Sequence, residues 1–151
     1  MIVERIVPGD PAWKASSAPH LARYLFAAEY ARDRRVLDAG AGSGYGARLL
    51  RAAGATTVVG IDIDPGTIQQ ATACFGGDGV DFLVDDCEQL SRVTGPFDLI
   101  CSFESLEHFH HPERFLNAAV HRLASDGVLL ISTPDRTSTP PFVNGRPKNP
   151  F

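Results

Sequence analysis

The sequence predicts an α/β fold, a parallel sheet doubly wound with helices on both faces, and three observations carry that expectation. Short apolar runs of strand length alternate with amphipathic segments of helix length through most of the chain, the pattern that right-handed crossovers build into a covered parallel sheet. The first such run leads directly into "VLDAGAGSGYG", Val36 to Gly46, a nearly bare backbone at a strand-to-helix turn. The next run ends on a carboxylate, Asp62, about 20 residues after those glycines, a spacing typical of nucleoside-binding α/β sheets.

Each element has its own reason. "SAPHLARYLFAAEYARD", Ser17 to Asp33, places Leu21, Tyr24, Leu25, Ala28 and Ala31 on one helical face behind a serine and a proline, a helix start signal. "RRVLDA" reads as a buried strand, "GARLLRAAGA" as a helix closed by Gly54, and "TTVVGIDI" as the second strand. "DPGTIQQATACF" is a helix with Pro65 in its first turn, followed by "VDFLVDD" and "FDLICSF" as strands. "HPERFLNAAVHRLA", with Pro112 near its start, is the last helix, and "GVLLIST" the fifth strand. The expected organisation is an N-terminal segment over 1–18, the α/β domain over 19–136, and a proline-rich tail over 137–151.

Composition bounds the function classes. A chain of 151 residues, 44% hydrophobic and 21% charged, suits one globular domain with a sizeable core. A formal charge of −4 supplies no general field for nucleic acid, so nucleic acid is not an expected partner. Cys74, Cys87 and Cys101 are an odd number without a CxxC spacing, which argues against a disulfide framework or a zinc site and for a reducing compartment. The amino end, "MIVERIVPGDPAW", is interrupted by charges and proline where a signal peptide needs an apolar run, and no later run would span a bilayer. The expected location is the cytoplasm, with no membrane partner and a homodimer left open.

In an open α/β sheet, ligands bind beyond the carboxyl ends of the strands, where the glycine stretch lies. Gly40, Gly42 and Gly44 together, after a strand and before a helix, point to a ligand that approaches the main chain closely. Asp62 is placed to accept hydrogen bonds from a ribose diol, which implies a nucleoside. "GSGYGA" from Gly42 also satisfies the loose GxGxxA form, so an NAD-dependent oxidoreductase is one alternative. Asp38 speaks against it: a carboxylate at the loop entrance would repel a pyrophosphate but attract the cationic methionine part of S-adenosylmethionine. Asp86 can accept from an adenine amino group while the amide of Cys87 donates to a ring nitrogen.

These stretches resemble the class I S-adenosylmethionine-dependent methyltransferases. "VLDAGAGSGYG", "GIDIDP", "FLVDDCEQL", "FDLICSFESLEH" and "RLASDGVLLISTPDR" stand in that family's order and at its spacing, from about His20 to Arg136. The resemblance implies a Rossmann-like sheet of strand order 3-2-1-4-5, S-adenosylmethionine as cofactor and S-adenosylhomocysteine as product. It puts Asp38 and the loop glycines near the methionine moiety, Asp62 on the ribose, and Asp86 and Cys87 on the adenine. Ala39, Tyr45, Ile63, Glu88 and Phe103 join that cofactor-binding set. "HLARY" is similar to the stretch that folds over the methionine end in relatives, so Arg23 or Tyr24 is expected at the ligand's carboxylate.

"SFESLEHFHHPERF" is where acceptor chemistry is expected. Glu104, Glu107 and His108 form an ExxEH pattern whose members share one face if the segment is helical. It resembles the metal-binding segment of small-RNA 3′-terminal 2′-O-methyltransferases and of some quinone-biosynthesis O-methyltransferases, which makes Glu104, Glu107 and His108 candidate ligands for Mg2+. In similar small-molecule methyltransferases without metal, His108 would act as a base, with Glu107 beside it. His110, His111 and His121 are expected on the surface. The expected acceptor is a hydroxyl of a small molecule or sugar. A full class I sheet has seven strands, and this sequence supplies five. A fragment of a longer protein is therefore expected, over a compact variant whose tail covers the open edge of strand five, and a cofactor-binding module without turnover is the second alternative.

Overall fold

The computed structural model describes residues 13–135, together with short strands at 142–143 and 146–147; the expected N-terminal segment and tail lie largely outside these residues. The order is α1 (Trp13–Ala28), β1 (Arg35–Ala39), α2 (Tyr45–Ala52), β2 (Thr57–Asp62), α3 (Pro65–Phe75), β3 (Val80–Val84), β4 (Phe97–Phe103), a 3-10 turn (Leu106–His108), α4 (Pro112–Val120) and β5 (Leu123–Ser132). The five strands form one sheet of order β3-β2-β1-β4-β5, every neighbouring pair parallel. The expected fold class and strand order are therefore observed. A two-residue antiparallel pair, β6 (Phe142–Val143) with β7 (Arg146–Pro147), forms a separate small sheet where the sequence suggested no strand.

The strand period of two sorts the core into two layers. Val36, Val58, Phe82, Leu99 and Cys101 face the layer that includes Tyr24 of α1, Leu50 of α2 and Ile68 of α3. Leu37, Ile61 and Ile100 face the other, closed by Phe115 and Ala119 of α4. β1 lies at the centre, its last four residues buried, and this is why "VLDA" reads as a continuous buried run.

Local chemistry ends and starts the helices. Gly54, at φ 107, donates to the Arg51 carbonyl (3.1 Å) while Ala55 donates to that of Leu50 (3.3 Å), a Schellman closure of α2. Asp64 caps α3, its Oδ2 accepting from the Thr67 amide (2.8 Å) and hydroxyl (2.6 Å), with Pro65 in the first turn.

Five boundaries differ from expectation. α1 begins at Trp13, so Pro19 lies inside the helix rather than at its start, where its ring removes one intrahelical donor. The same helix ends at Ala28. Three tighter bonds follow, from Glu29, Tyr30 and Ala31 to the carbonyls of Phe26, Ala27 and Ala28, before Asp33 takes a positive φ. β3 stops at Val84, because the next two acids are drawn into side-chain bonds of the following loop. α4 ends at Val120 rather than Ala124, and β5 starts four residues before the expected Gly127. Arg122 explains both: its guanidinium donates to the carbonyls of Val93 and Ala118, and its own carbonyl accepts from Phe97 N (2.7 Å). The chain is thereby pulled into the sheet at Leu123, and a register shift lets Ser125 and Asp126 bulge into solvent before Val128 pairs with Leu99.

α1 docks on α2 through Gly46, where a Cβ would overlap the ring of Tyr24. Gly46→Ala is expected to lower unfolding stability by about 2 kcal/mol, the usual scale of overpacking, measured as a lowered urea midpoint at unchanged slope.

Candidate functional site

The site is built at the carboxyl ends of β1, β2 and β3. The β1–β2 register, Ala39 opposite Ile61, runs on into the glycine loop, where the amides of Gly40 (3.0 Å) and Ala41 (2.8 Å) both donate to the Ile61 carbonyl. Gly40, Gly42 and Gly44 all have positive φ, at 82°, 53° and 86°. Their surroundings separate their tasks. A Cβ at Gly40 would strike Ser105, and one at Gly44 would lie 2.7 Å from Phe82 and 2.8 Å from Ala71, so both serve close packing. At Gly42 nothing lies within 4 Å, which makes it the loop position facing open space.

Asp62 borders that space. Its Oδ2 accepts from Gly42 N (3.2 Å) and its Oδ1 from Asp64 N (3.0 Å). An ionised carboxylate has about four acceptor positions, so both oxygens keep capacity for a diol. Ile63 beside it is 69% exposed, an unusual exposure for isoleucine at a strand end and an apolar surface for a flat base.

Beyond β3, Asp86 turns its carboxylate inward on its own loop, Oδ1 accepting from Glu88 N (2.9 Å) and Oδ2 from Gln89 Nε2 (2.9 Å). Acceptor positions remain on it as well. Cys87 is buried, and burial, followed by the charge of Asp62, pushes its thiol well above the ordinary range, so it stays a neutral thiol. Glu88 faces elsewhere: its Oε1 accepts from His110 N (2.7 Å) and its Oε2 from His111 N (3.2 Å). Glu88 thereby forms a strut between the β3 loop and the loop ahead of α4. Asp85, which the sequence analysis passed over, is buried and accepts from Asp86 N, Ser91 Oγ and Arg92 N, fixing the whole loop. The tandem "DD" was its signal, since alternation sends only one of two adjacent acids outward.

Asp38 lies fully buried at the end of β1, and the Tyr24 hydroxyl stands 3.1 Å from each of its oxygens. Burial raises the Asp38 carboxyl to about 7; the Tyr24 hydrogen bond pulls the other way, and the charge of Asp62 adds to the rise. The Tyr24 hydroxyl is raised well above its ordinary value, by burial first and by Asp38 second. The structure therefore places Tyr24 on Asp38, in a ring cluster with Tyr45 (5.3 Å) and Phe103 (5.1 Å), rather than outward toward a ligand carboxylate. Ala39 is buried in the opposite layer.

The acceptor-side residues are dispersed. The segment after β4 is a 3-10 turn over Leu106–His108, so the helical face that would align Glu104 with Glu107 and His108 does not form. Glu104, at φ 53, pairs with Arg23 (3.0 Å) and accepts from Ser132 Oγ (3.0 Å). Glu107 accepts from Thr133 Oγ1 (3.2 Å), and its Oε1 is 4.0 Å from His108 Nε2. Among the described residues no group of three His, Cys, Asp or Glu side chains is arranged to hold a metal ion, so the expected Mg2+ ligand set is not assembled. Arg23 is engaged by Glu104. His110, His111 and His121 are exposed, as expected.

Residues 15–148 match the methyltransferase domain family. The chain belongs to that family. This methyltransferase domain is 33% identical over 150 residues to a protein of Mycolicibacterium smegmatis named a probable S-adenosylmethionine-dependent methyltransferase, covering 98% of this chain and 56% of that one. It is 37% identical over 106 residues to a ubiquinone biosynthesis O-methyltransferase of Xylella fastidiosa, covering 68% of this chain and 43% of that one. A crystal structure of an S-adenosylmethionine-dependent methyltransferase from Mesorhizobium loti superposes with a TM-score of 0.64 at 26% identity, covering 83% of this chain and 54% of the other. The domain thus spans about half the length of these relatives. Its fold is the class I methyltransferase fold, and the cofactor of the family is S-adenosylmethionine. The open space at Gly42, the acceptor capacity of Asp62 and the exposed Ile63 fit that group. No described helix of the methyltransferase domain is long and apolar enough to cross a membrane.

Two substitutions test the cofactor site. Asp62→Ala is expected to weaken S-adenosylhomocysteine binding by about 1.5 to 3 kcal/mol, the scale of hydrogen bonds to a charged acceptor, in isothermal calorimetry. Gly42→Asn, a residue that tolerates positive φ, is expected to fill the open space and cut affinity by about tenfold or more while the domain stays folded.

Proposed function

We propose that this domain binds S-adenosylmethionine and serves transfer of its methyl group to a hydroxyl oxygen of a small molecule or sugar. The observation that carries the reading is Gly42: of the three positive-φ glycines of the loop, it alone is bordered by open space, and that space adjoins Asp62. The similarity to a ubiquinone biosynthesis O-methyltransferase supports oxygen as the acceptor atom. The sulfonium of the cofactor supplies an excellent leaving group, so the protein's own task is alignment and removal of the hydroxyl proton.

His108 is the candidate for that proton. Its side chain is 55% exposed in the 3-10 turn after β4, and Glu107, itself anchored by Thr133, stands 4.0 Å from its Nε2. The Arg23–Glu104 pair links α1 to the ends of β4 and β5 beside an apolar cavity of about 310 Å³ that Phe26, Phe103, Leu130 and Ile131 help to line. Among the described residues no group is arranged to hold a metal that would activate the acceptor, and the proposal needs none.

A second reading, cofactor binding without turnover, is favoured by β5. It stands at the edge of the sheet with Val128 to Ile131 only half-buried, so the acceptor side carries little cover among the described residues.

Incubation of the chain with S-adenosylmethionine and a panel of phenols, catechols and sugars, with product detected as S-adenosylhomocysteine, separates the two readings. Turnover that falls by about 100-fold or more in His108→Gln supports the base assignment, since general-base catalysis contributes on that scale. Turnover unchanged in the variant contradicts it. Cofactor binding without product for any acceptor supports the second reading, and protection by NAD but not by S-adenosylmethionine contradicts both.

A further inference from the structure

Asp38 has an environment that a permanently charged carboxylate would not tolerate. It is wholly buried, and among the described residues its side-chain hydrogen-bond partner is a single phenol, set symmetrically at 3.1 Å from both oxygens. One O–H donates one proton, so two oxygens share one strong donor. Five groups around it are coupled to its charge, Tyr24 from α1, Tyr45 from α2, Asp62 from β2, Cys101 from β4 and Cys87 from the loop after β3, while Arg23, which acts on Tyr45, is paired with Glu104. All five are acids. None of them carries positive charge, and no ion pair to Asp38 is present among the described residues. A buried carboxylate without a cation is neutralised by a proton instead.

Resting on the S-adenosylmethionine reading above, we infer that Asp38 holds a proton in the ligand-free domain and releases it to solvent when the cationic end of the cofactor settles over the glycine loop, so that cofactor binding is coupled to proton release. The missing cation is then supplied by the ligand. Asp62 shows that a charge at the mouth of the loop is felt at Asp38, since its negative charge already raises the Asp38 carboxyl. A positive charge at similar range acts with the opposite sign and favours the carboxylate. The balance is simple: a neutral carboxyl and an ammonium ligand become a carboxylate facing that ammonium, with one proton passed to the buffer. Linkage fixes the direction. Because the free carboxyl titrates near 7, release is nearly complete at lower pH and vanishes above it, so apparent affinity rises as pH increases toward 8 and then levels.

Calorimetry of S-adenosylhomocysteine binding to the 151-residue chain, repeated in phosphate and in Tris, counts the protons, because the two buffers differ widely in ionisation enthalpy. The expected result is net proton release at pH 6 that is clearly larger than at pH 8, the direction that follows from a free carboxyl raised to about 7. Tyr24→Phe removes the hydrogen bond that favours the charged form, so it should move the midpoint of release to higher pH, a change that loss of packing alone would not produce. Asp38→Asn, if it binds, should show no release at pH 6. Binding with the same apparent enthalpy in both buffers at pH 6 overturns the inference while leaving the cofactor reading intact. No binding in any buffer overturns the cofactor reading, and the inference with it.

Discussion

The structure depends on one carbonyl. Ile61 O, at the carboxyl end of β2, accepts from two successive amides, Gly40 and Ala41, where a strand partner would offer one. This double bond to the neighbouring strand stops β1 from continuing and bends the chain into the αL conformations of Gly40, Gly42 and Gly44. The third amide in the loop, that of Gly42, meets the carboxylate of the very next residue of β2, Asp62. Strand register, loop shape and the orientation of the polar group at the mouth of the site are thus set by one local arrangement. It is rigid because the pairing beneath it is buried on both faces, with Leu37 and Ile61 in one layer and Val36 and Val58 in the other.

A consequence is electrostatic. The carboxyl ends of three adjacent strands deliver Asp38, Asp62, Asp85 and Asp86 to one rim, with no ion-paired cation among the described residues to balance them. Their fates differ with burial and partners. Asp85 is compensated by three donors from its own loop, Asp62 by two amides in partial solvent, and Asp38 by one phenol in none. An acidic rim of this kind suits a ligand that is cationic at one end and rich in hydroxyl and amino donors at the other, and it opposes a pyrophosphate. The same accounting explains why Tyr24 is buried. Its ring fills the space above Gly46 and its hydroxyl serves the least satisfied acid in the site.

Much of this was legible in the sequence, and the reasons for the rest are physical. The sheet type and the positions of the glycine loop and Asp62 followed from alternation and spacing, which are set by the same period-two and crossover geometry that builds the sheet, and the strand order followed from the resemblance to the class I methyltransferases. The division of labour among the glycines was not legible, since Gly40, Gly42 and Gly44 are alike in sequence and differ only in whether Ser105, Phe82 or nothing stands opposite. The early start of β5 was hidden because Arg122 acts through carbonyls 29 and 4 residues away, a tertiary effect that overrode a continuous helical pattern. The bracing role of Glu88 was hidden for a similar reason, its partners being main-chain amides of His110 and His111, which no residue type announces. The ExxEH pattern pointed to convergence only on the assumption of an α-helix. The 3-10 turn over Leu106–His108 and the Arg23–Glu104 pair leave Glu104 apart from Glu107 and His108.

The central claim is that the Gly42–Asp62 gap is where the cofactor's ribose sits. A crystal structure of the chain with S-adenosylhomocysteine tests it most directly. The account predicts both ribose hydroxyls within hydrogen-bonding distance of the Asp62 carboxylate and the adenine lying along Ile63. Ribose density placed elsewhere, with Asp62 bonded only to the amides of Gly42 and Asp64 as it is in the free domain, would contradict it.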